Sequence, residues 1–213
     1  MTSAVWGGPG KADGMASQDF IRMQGREEGG VMFEQFKTRA QGVSAEVYRF
    51  PTEEEALAFL VAFLREEGVA EQAGRYGVFA ACPFLDRVDR PQLEAIKGMY
   101  FEVTRERAAA ARVGISQVDW ALADTGTLVQ DATAVDKRLV STLPTIHVAL
   151  IATAGLRPDM PAWLADARPQ EANYLAMITG PSRTADIERV LTIGVHGPER
   201  LVIVFIDQMG GTN

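Results

Sequence analysis

Cysteine and histidine are scarce in this sequence of 213 residues, in which Cys82 is the only cysteine and His147 and His196 are the only histidines. An iron–sulfur cluster normally takes about four thiolates, and a structural zinc site takes about four cysteine or histidine ligands. A single cysteine also cannot form an internal disulfide. We therefore expect no metal site and no cofactor in this chain, so that any redox chemistry would depend on a partner.

Blocks of basic residues and long apolar runs are missing as well. The net charge is −7, from 21 basic and 28 acidic residues, which argues against a nucleic-acid partner because phosphate binding needs clustered lysine and arginine. The longest apolar stretches, 147–154 and 201–206, are far shorter than the roughly 20 residues that cross a bilayer. Because the N-terminus has no basic segment followed by an apolar core, the sequence predicts a soluble, cytoplasmic protein without a membrane span.

The chain is predicted to form a single α/β domain. Its content of 47% apolar residues is typical of a globular protein. Residues 1–30 contain seven glycines, scattered charges and no sustained periodicity. We therefore expect a flexible N-terminal tail over 1–30 and one domain over 31–213.

Strand and helix patterns alternate along this domain. Thr52 followed by Glu55 is a capping box, and the apolar spacing after it predicts a helix that ends at Gly68. Turn residues from Asp124 to Gly126 between strand-like segments predict a β-hairpin. Further helices are expected at 31–40, 90–97, 105–112, 159–167 and 184–192, and strands at 45–50, 76–81, 100–103, 146–152, 174–179 and 201–206. Near-continuous apolar strands separated by helices indicate a Rossmann-like, largely parallel sheet with helices on both faces and the hairpin as an antiparallel addition.

A loop after the strand expected at 174–179 carries the residue types of an anion site. It contains, in order, Gly180, Ser182, Arg183, Thr184 and Asp186. Backbone N–H groups, hydroxyls and a guanidinium at the start of a helix suit a phosphate or a carboxylate. The same residues would also serve only to cap that helix and to complement its dipole. The glycine spacing of a dinucleotide site and the lysine of a P-loop are both missing.

The hairpin turn is the second candidate loop, because Gly126 permits a tight bend and polar side chains surround it. Turn formation alone would also account for these residues. His196 lies in a bend before Gly197 and Pro198, where it could transfer protons near neutral pH or simply be exposed. The catalytic candidates are Asp124, Asp186 and His196, and the anion-binding candidates are Thr125, Gly126, Thr127, Gly180, Ser182, Arg183 and Thr184. A shared site requires the two loops to meet in space.

Several other polar residues have plainer interpretations. His147 stands at a predicted strand start, which favours burial with its hydrogen bonds satisfied. Lys137 could add positive charge to the same crevice or lie on a solvated helix. Cys82 is expected to be a small apolar residue, because no local base or second cysteine would activate it.

Four segments, taken in this order, resemble the lactate utilization protein C family, which has the LUD domain. They are Ala123-Asp124-Thr125-Gly126-Thr127-Leu128, Leu143-Pro144 with His147, Thr179-Gly180-Pro181-Ser182-Arg183-Thr184-Ala185-Asp186-Ile187-Glu188, and Gly194-Val195-His196-Gly197-Pro198. The resemblance is strong over the C-terminal half of the chain and loose before it. Each motif alone is weak, but their combination is specific.

This resemblance implies a fold like that of the NagB/RpiA/CoA-transferase group. It also implies a role in oxidising L-lactate to pyruvate beside two iron–sulfur partner proteins, whose clusters would carry the electrons, while the crevice of this chain would bind a small carboxylate or another anion. Two alternatives remain open, because related scaffolds support different chemistries. One is an independent acyl- or phosphoryl-group transferase or ligase, and the other is a metabolite-binding regulatory module.

Overall fold

A computed structural model describes residues 29–184, 192–193 and 196–210. The tail expected over 1–30 lies outside these ranges, except for Gly29 and Gly30, which belong to helix α1 (29–42). In the described ranges, no helix is both long enough and apolar enough to span a membrane.

Six parallel strands form the main sheet. They are β1 (Glu46–Thr52), β2 (Tyr76–Phe79), β3 (Met99–Tyr100), β4 (Ala111–Gln117), β7 (Ile146–Ala152) and β12 (Arg200–Gln208). Their order across the sheet is β1-β12-β7-β4-β2-β3. Every residue of β7 is buried, as expected for a central strand that is covered on both faces. The predicted Rossmann-like, largely parallel sheet is therefore confirmed.

One face of the main sheet is covered by α2 (Glu53–Glu66) together with the short helices α3 (Pro83–Arg87) and α4 (Pro91–Glu94). The side chains of Leu60 and Leu64 on α2 are fully buried in a cluster with residues of β4, β7 and β12. Burial of a leucine side chain contributes about 1.5–3 kcal/mol, so this apolar stripe is a principal attachment of α2 to the sheet.

The opposite face carries α1, α5 (Arg105–Ala109), α6 (Val135–Thr142) and a second, four-stranded sheet. The strands of this small sheet are β5 (Trp120–Leu122), β6 (Thr127–Asp131), β8 (Leu156–Arg157) and β9 (Leu175–Ile178), in the order β8-β5-β6-β9. Strands β5 and β6 are antiparallel and form the predicted hairpin. Helix α7 (Met160–Asp166) packs on the outer side of the small sheet through Trp163.

The parallel strands give the main sheet two distinct edges. Glu46, Ile146 and Arg200 begin their strands at the amino edge, and the strands end at the carboxyl edge. Helix α1 begins near the carboxyl edge, where residues 29 and 30 line a cavity with residues that follow β7 and end β12. It therefore runs antiparallel to β1 and ends at the amino edge.

The strand expected at 174–179 is placed differently from its prediction. It forms β9, which pairs antiparallel with β6 in the small sheet and does not join the parallel sheet. The side chains of β9 are only partly buried. A short apolar run is thus compatible with a half-covered strand and does not require the doubly covered position that we inferred from it.

The prediction of a helix at 184–192 is wrong at both ends. Thr184 belongs to strand β10 (Arg183–Thr184) and Thr192 belongs to strand β11 (Thr192–Ile193), and these two strands pair antiparallel. Residues 185–191 lie outside the described ranges. Serine, threonine and acidic side chains favour helix caps and turns alike, because both are local hydrogen-bonding effects, so these residue types do not distinguish the start of a helix from a short hairpin.

Two helix boundaries also differ from their predictions. The helix expected at 105–112 stops at Ala109, because Ala111 already begins β4 beside β2. Pairing in the sheet outweighs the high helix propensity of the alanines, because differences in propensity are worth less than about 1 kcal/mol per residue. The helix expected at 90–97 is reduced to α4.

Replacing Thr52 by alanine should lower the free energy of unfolding by about 1 kcal/mol. The Thr52 hydroxyl accepts a hydrogen bond from the N–H of Glu55 at 3.3 Å at the start of α2. Thr38→Ala is the control, because the Thr38 hydroxyl only donates to the Glu34 carbonyl inside α1, and its change should stay within about 0.5 kcal/mol. Urea unfolding followed by circular dichroism measures both. An equal loss in the two variants would contradict the capping role.

Candidate functional site

The hairpin turn and the end of β9 lie side by side. Because β6 and β9 are antiparallel, Thr127 at the start of β6 faces Thr179 just after β9. Their Oγ1 atoms are 2.8 Å apart and share a hydrogen bond. Thr127 is buried and Thr179 is exposed, so this pair connects the protein interior to the loop surface.

Glycine is needed in both loops because the end of α1 packs against their backbones. Gly126 and Gly180 have φ angles of +68° and +72°. A Cβ atom at Gly126 would lie 2.5 Å from the nitrogen of Ala40, and one at Gly180 would lie 2.6 Å from the carbonyl oxygen of Val43. Only glycine fits such close approaches of backbone in the left-handed conformation. The end of α1 therefore contacts both candidate loops.

Ser182 and Arg183 continue the chain from β9 toward other loops. The N–H of Ser182 donates to the carbonyl oxygen of Pro198 at 2.9 Å. A Cβ atom at Gly197 would lie 3.1 Å from Cβ of Ser182. The exposed guanidinium of Arg183 donates from Nη2 to Oγ of Ser44 at 2.6 Å. The Ser182 loop thus meets the bend that carries His196 and the segment that follows α1.

These contacts place the candidate site at the amino edge of the main sheet. Ser44 precedes β1, and Pro198 precedes β12. Thr145, whose carbonyl oxygen accepts the N–H of Glu199 at 2.8 Å, precedes β7. Ligands of open parallel α/β sheets usually bind outside the carboxyl ends of the strands, so this site lies at the other edge.

The three catalytic candidates are not brought together within the described residues. Asp124 is exposed, and its N–H donates to the carbonyl oxygen of Pro158 at 3.0 Å, on the side of the turn toward β8 and away from β9. His196 is also exposed. Asp186 lies outside the described residues, as does the side chain of Thr184. Their chemical roles, and that of the exposed Thr125, stay predictions.

The carboxyl edge holds a separate group of charges. Asp119 follows β4, and its Oδ2 accepts the N–H of Asp131 at 2.7 Å. Burial raises the pKa of the Asp119 carboxyl, an effect that this hydrogen bond and nearby Lys137 oppose. Of the two interpretations of Lys137, added charge at the Ser182 loop gains no support, because Lys137 lies near Asp119.

A cavity of about 730 Å³ also opens at the carboxyl edge. Asp207 in its wall accepts hydrogen bonds from Arg49 at 2.8 Å and from Thr153 at 2.7 Å. This cavity competes with the amino-edge site as a place for a ligand. In the part of the chain that the structure describes, no three histidine, cysteine, aspartate or glutamate side chains are grouped as a metal site would require.

The sequence did not predict a row of hydrogen-bonded polar side chains, here called the polar chain, that lies between the two sheets. Gln130 on β6 donates from Nε2 to Oγ of Ser116 on β4 at 2.9 Å and to the carbonyl oxygen of Gln117 at 3.2 Å. Oγ of Ser116 lies 2.9 Å from Nε2 of His147 on β7. The side chains of Ser116, Gln130 and His147 are at most 1% exposed. The available signal was weak, because only β7 has a single polar residue in an apolar run, whereas β4 and β6 each contain three.

His147 is buried as expected, but only one of its ring nitrogens is paired. Burial lowers the pKa of His147 to about 4, so the imidazole is neutral at pH 7. Within the described residues, Nδ1 of His147 and Oε1 of Gln130 have no hydrogen-bond partner. Buried polar atoms of this kind are rare in native proteins and require an explanation.

The fold defines an α/β protein in which a small mixed sheet packs on a parallel six-stranded sheet. The LUD domain family model matches residues 33–206. This match covers most of the chain, and the chain therefore belongs to the LUD domain family.

Similar proteins of known name include three called lactate utilization protein C. The one from Exiguobacterium sp. is 38% identical over 114 residues, which cover 51% of this chain and 50% of that protein. The one from Anoxybacillus flavithermus is 35% identical over 133 residues, or 62% of this chain and 59% of that protein. The one from Bacillus pumilus is 29% identical over 190 residues, or 83% and 78%. In the first two matches, the chain spans between half and about three-fifths of its relative's length.

A solved structure of similar fold is that of a DUF162 family protein from Deinococcus radiodurans. The two chains superimpose with a TM-score of 0.57 at 17% sequence identity, over 84% of this chain and 98% of the other. At this identity the likeness supports the fold alone.

Gly126→Ala should destabilise the protein more than Gly68→Ala. The two glycines have nearly the same φ, +68° and +69°, but a Cβ atom at Gly68 would meet nothing within 4 Å. Gly68→Ala should therefore lower the free energy of unfolding by about 1–2 kcal/mol, because alanine disfavours the left-handed conformation. Gly126→Ala should lower it by roughly 1 kcal/mol more, because its Cβ atom would also clash with Ala40. Urea unfolding of both variants measures the difference. Equal losses would contradict the close approach of α1 to the turn.

The free energy of unfolding should depend on pH through His147. The folded-state pKa of about 4 lies below the ordinary 6.5, so between these values the unfolded state binds more protons. The contribution of His147 to the free energy of unfolding is fully present above pH 6.5. It decreases by roughly 3 kcal/mol as the pH falls to about 4.

His147→Gln should remove this part of the pH dependence. His196→Gln, the exposed control, should retain it. Chemical unfolding of the three proteins at several pH values provides the test, and a pH slope that survives unchanged in His147→Gln would contradict the assignment.

Proposed function

We propose that this chain is the subunit without iron–sulfur clusters in a cytoplasmic lactate-utilisation system that oxidises L-lactate to pyruvate, and that its amino-edge loops bind a small carboxylate or another anion. The names of the Exiguobacterium and Anoxybacillus relatives support a role in lactate utilisation. Membership in the LUD domain family, with a match over residues 33–206, is consistent with that role.

The convergence of two loops at the end of α1 carries the anion-binding part of the proposal. Thr127 and Thr179 present hydroxyls that are already hydrogen-bonded to each other. Arg183, in the same loop as Thr179, exposes a guanidinium whose Nη2 donates a hydrogen bond to Ser44. A guanidinium has five N–H donors and binds a carboxylate through two parallel hydrogen bonds. Arg183 can therefore keep its contact with Ser44 while it binds an anion.

The proposed oxidation requires an electron acceptor outside this chain. Oxidation of a 2-hydroxy acid to a 2-keto acid removes a pair of electrons together with protons. Cys82 alone does not supply the thiolates of an iron–sulfur cluster. In line with what the family resemblance implies, we assign electron transfer to two iron–sulfur partner proteins, while this chain binds and orients the carboxylate.

Deletion of the gene should abolish lactate-dependent dye reduction in extracts of the source organism, and the purified chain should restore it. The Arg183→Ala variant should restore at most about one tenth of the activity that the wild-type chain restores, because loss of a hydrogen bond between charged groups costs roughly 1.5–3 kcal/mol. Arg168→Ala is the matched control, since Arg168 is 74% exposed and pairs only with Glu171 among the described residues. Circular dichroism verifies that both variants fold.

Other outcomes would redirect the proposal. Unchanged lactate oxidation after deletion, in a strain that lacks other lactate dehydrogenases, would contradict it. Turnover by the purified chain alone on acyl or phosphoryl substrates would favour an independent transferase or ligase. Ligand-dependent binding to partners without turnover would favour a regulatory module.

A further inference from the structure

A second cavity lies on the outer side of the small sheet. Its volume is about 650 Å³, and small-molecule sites in proteins have volumes of roughly 300–1,000 Å³. Its wall comes from all four strands of the small sheet, from α7 and from the segment 167–172. The residues described in this wall belong neither to the amino-edge loops nor to the cavity beside Asp207. The cavity is therefore a separate place for a ligand.

Two tryptophans give this cavity an aromatic wall. Trp120 on β5 is partly buried, and Trp163 on α7 is 2% exposed. Their ring centroids are 5.9 Å apart, with an angle of 64° between the ring planes. The face of an indole ring attracts cations more strongly than the other aromatic side chains do. Nε1 of Trp163 has no hydrogen-bond partner among the described residues, whereas buried indole N–H groups usually have one, so an oxygen atom of a ligand would complete this wall.

The charged residues of the wall leave one carboxylate without an ion pair. Nε of Arg157 lies 2.9 Å from Oδ2 of Asp166, and Nη1 of Arg168 lies 3.2 Å from Oε1 of Glu171. Asp131 also lines the cavity and belongs to none of the ion pairs in the described part of the chain. Two positive and three negative side chains give the wall a formal charge of −1. The cavity therefore favours a cation over an anion.

The unpaired carboxylate lies on the same face of the small sheet as the aromatic wall. Val129 pairs with Trp120 across β5 and β6, and Asp131 is two residues further along β6. Such diagonal neighbours are about 7–8 Å apart, a gap that one ammonium group can fill. Hydrogen bonding with Thr133 is the main cause of the lowered pKa of Asp131, and the charge of Lys137 adds to it. Asp131 is therefore ionised at pH 7.

We propose that this cavity binds a small organic ammonium ion that also carries an oxygen acceptor. The ammonium group lies against the ring of Trp120 and beside the carboxylate of Asp131, and the oxygen accepts the N–H of Trp163. This site differs from the amino-edge site in the sign of the charge that it takes. It therefore goes beyond the proposed function and does not depend on it.

Tryptophan fluorescence of the full chain tests this inference, because the sequence has three tryptophans and two of them line the cavity. Trp6→Phe removes the third and gives the parent chain. Choline chloride should change the emission of this chain in a saturable way, and sodium chloride at the same concentration should not. Dimethylbutanol with carbon in place of the choline nitrogen keeps the shape and the hydroxyl but has no charge. It should need at least about fivefold higher concentration than choline.

Asp131→Asn in the parent chain tests the carboxylate, because asparagine has nearly the same shape and can still accept the N–H of Thr133, 2.9 Å from Oδ1. This variant should need about fivefold more choline, with its response to dimethylbutanol unchanged. Asp86→Asn, at an exposed position outside the cavity wall, is the matched control and should respond as the parent does. Circular dichroism verifies folding. If Asp131→Asn does not fold, the comparison of choline with dimethylbutanol on the parent chain decides the question.

Three results would overturn the inference. Without a saturable response to choline, the cavity holds only water. Equal responses to choline and dimethylbutanol would show that charge is not recognised. Equal losses in Asp131→Asn and Asp86→Asn would assign the effect to the net charge of the protein. The proposed role in lactate oxidation is tested separately, by gene deletion and restoration.

Discussion

The end of α1 approaches two glycine backbones, and the arrangement of the candidate site depends on this contact. Ala40 lies against Gly126 of the hairpin turn, and Val43 lies against Gly180 after β9. Any side chain at either glycine would force the helix away. The same helix buries Phe33 and Phe36 against Phe205 of β12, so its position is fixed by the main sheet. The main sheet thereby positions both loops through a single helix.

The interior between the sheets combines tight packing with an incomplete polar chain. Apolar residues from both sheets surround Ala149 and Ile151 of β7, whereas Ser116, Gln130 and His147 place hydrogen-bonding groups in the same layer. Such clusters specify a structure when they are fully paired and are costly when they are not. Because burial lowers the pKa of His147 to about 4, its neutral imidazole is poorly matched to act as a base near pH 7.

The amino edge is held by ion pairs as well as by loop contacts. The guanidinium of Arg200, at the start of β12, binds Glu46 of β1 at 2.8 Å and also binds Glu67 after α2. Glu67 in turn binds Arg112 of β4 at 2.8 Å. These ion pairs join β1, β4 and β12 to the end of α2 at the amino edge. They do not include the loops of the candidate site. Such partly exposed pairs contribute little individually, and a network of them adds rigidity.

Local signals in the sequence were sufficient for much of the fold. The helix cap at Thr52, the helix stop at Gly68 and the hairpin at Gly126 depend on neighbouring residues and were predicted. The placement of β9 depends on a partner distant in sequence and was not predicted. The pairing of β10 with β11 is local, but serine, threonine and acidic residues there suited a helix start equally well. The polar chain was missed because Ser116 and Gln130 have no motif and acquire significance only where three strands bring them together.

The central claim is that the functional site lies at the amino edge. Hydrogen–deuterium exchange of the chain with and without L-lactate distinguishes this edge from the cavity beside Arg49 and Asp207. If the site lies at the amino edge, L-lactate should slow exchange over 125–128 and 179–183 and leave 153–155 and 207–208 unchanged. Slower exchange confined to the second pair of segments would contradict it and would move the site to the carboxyl edge.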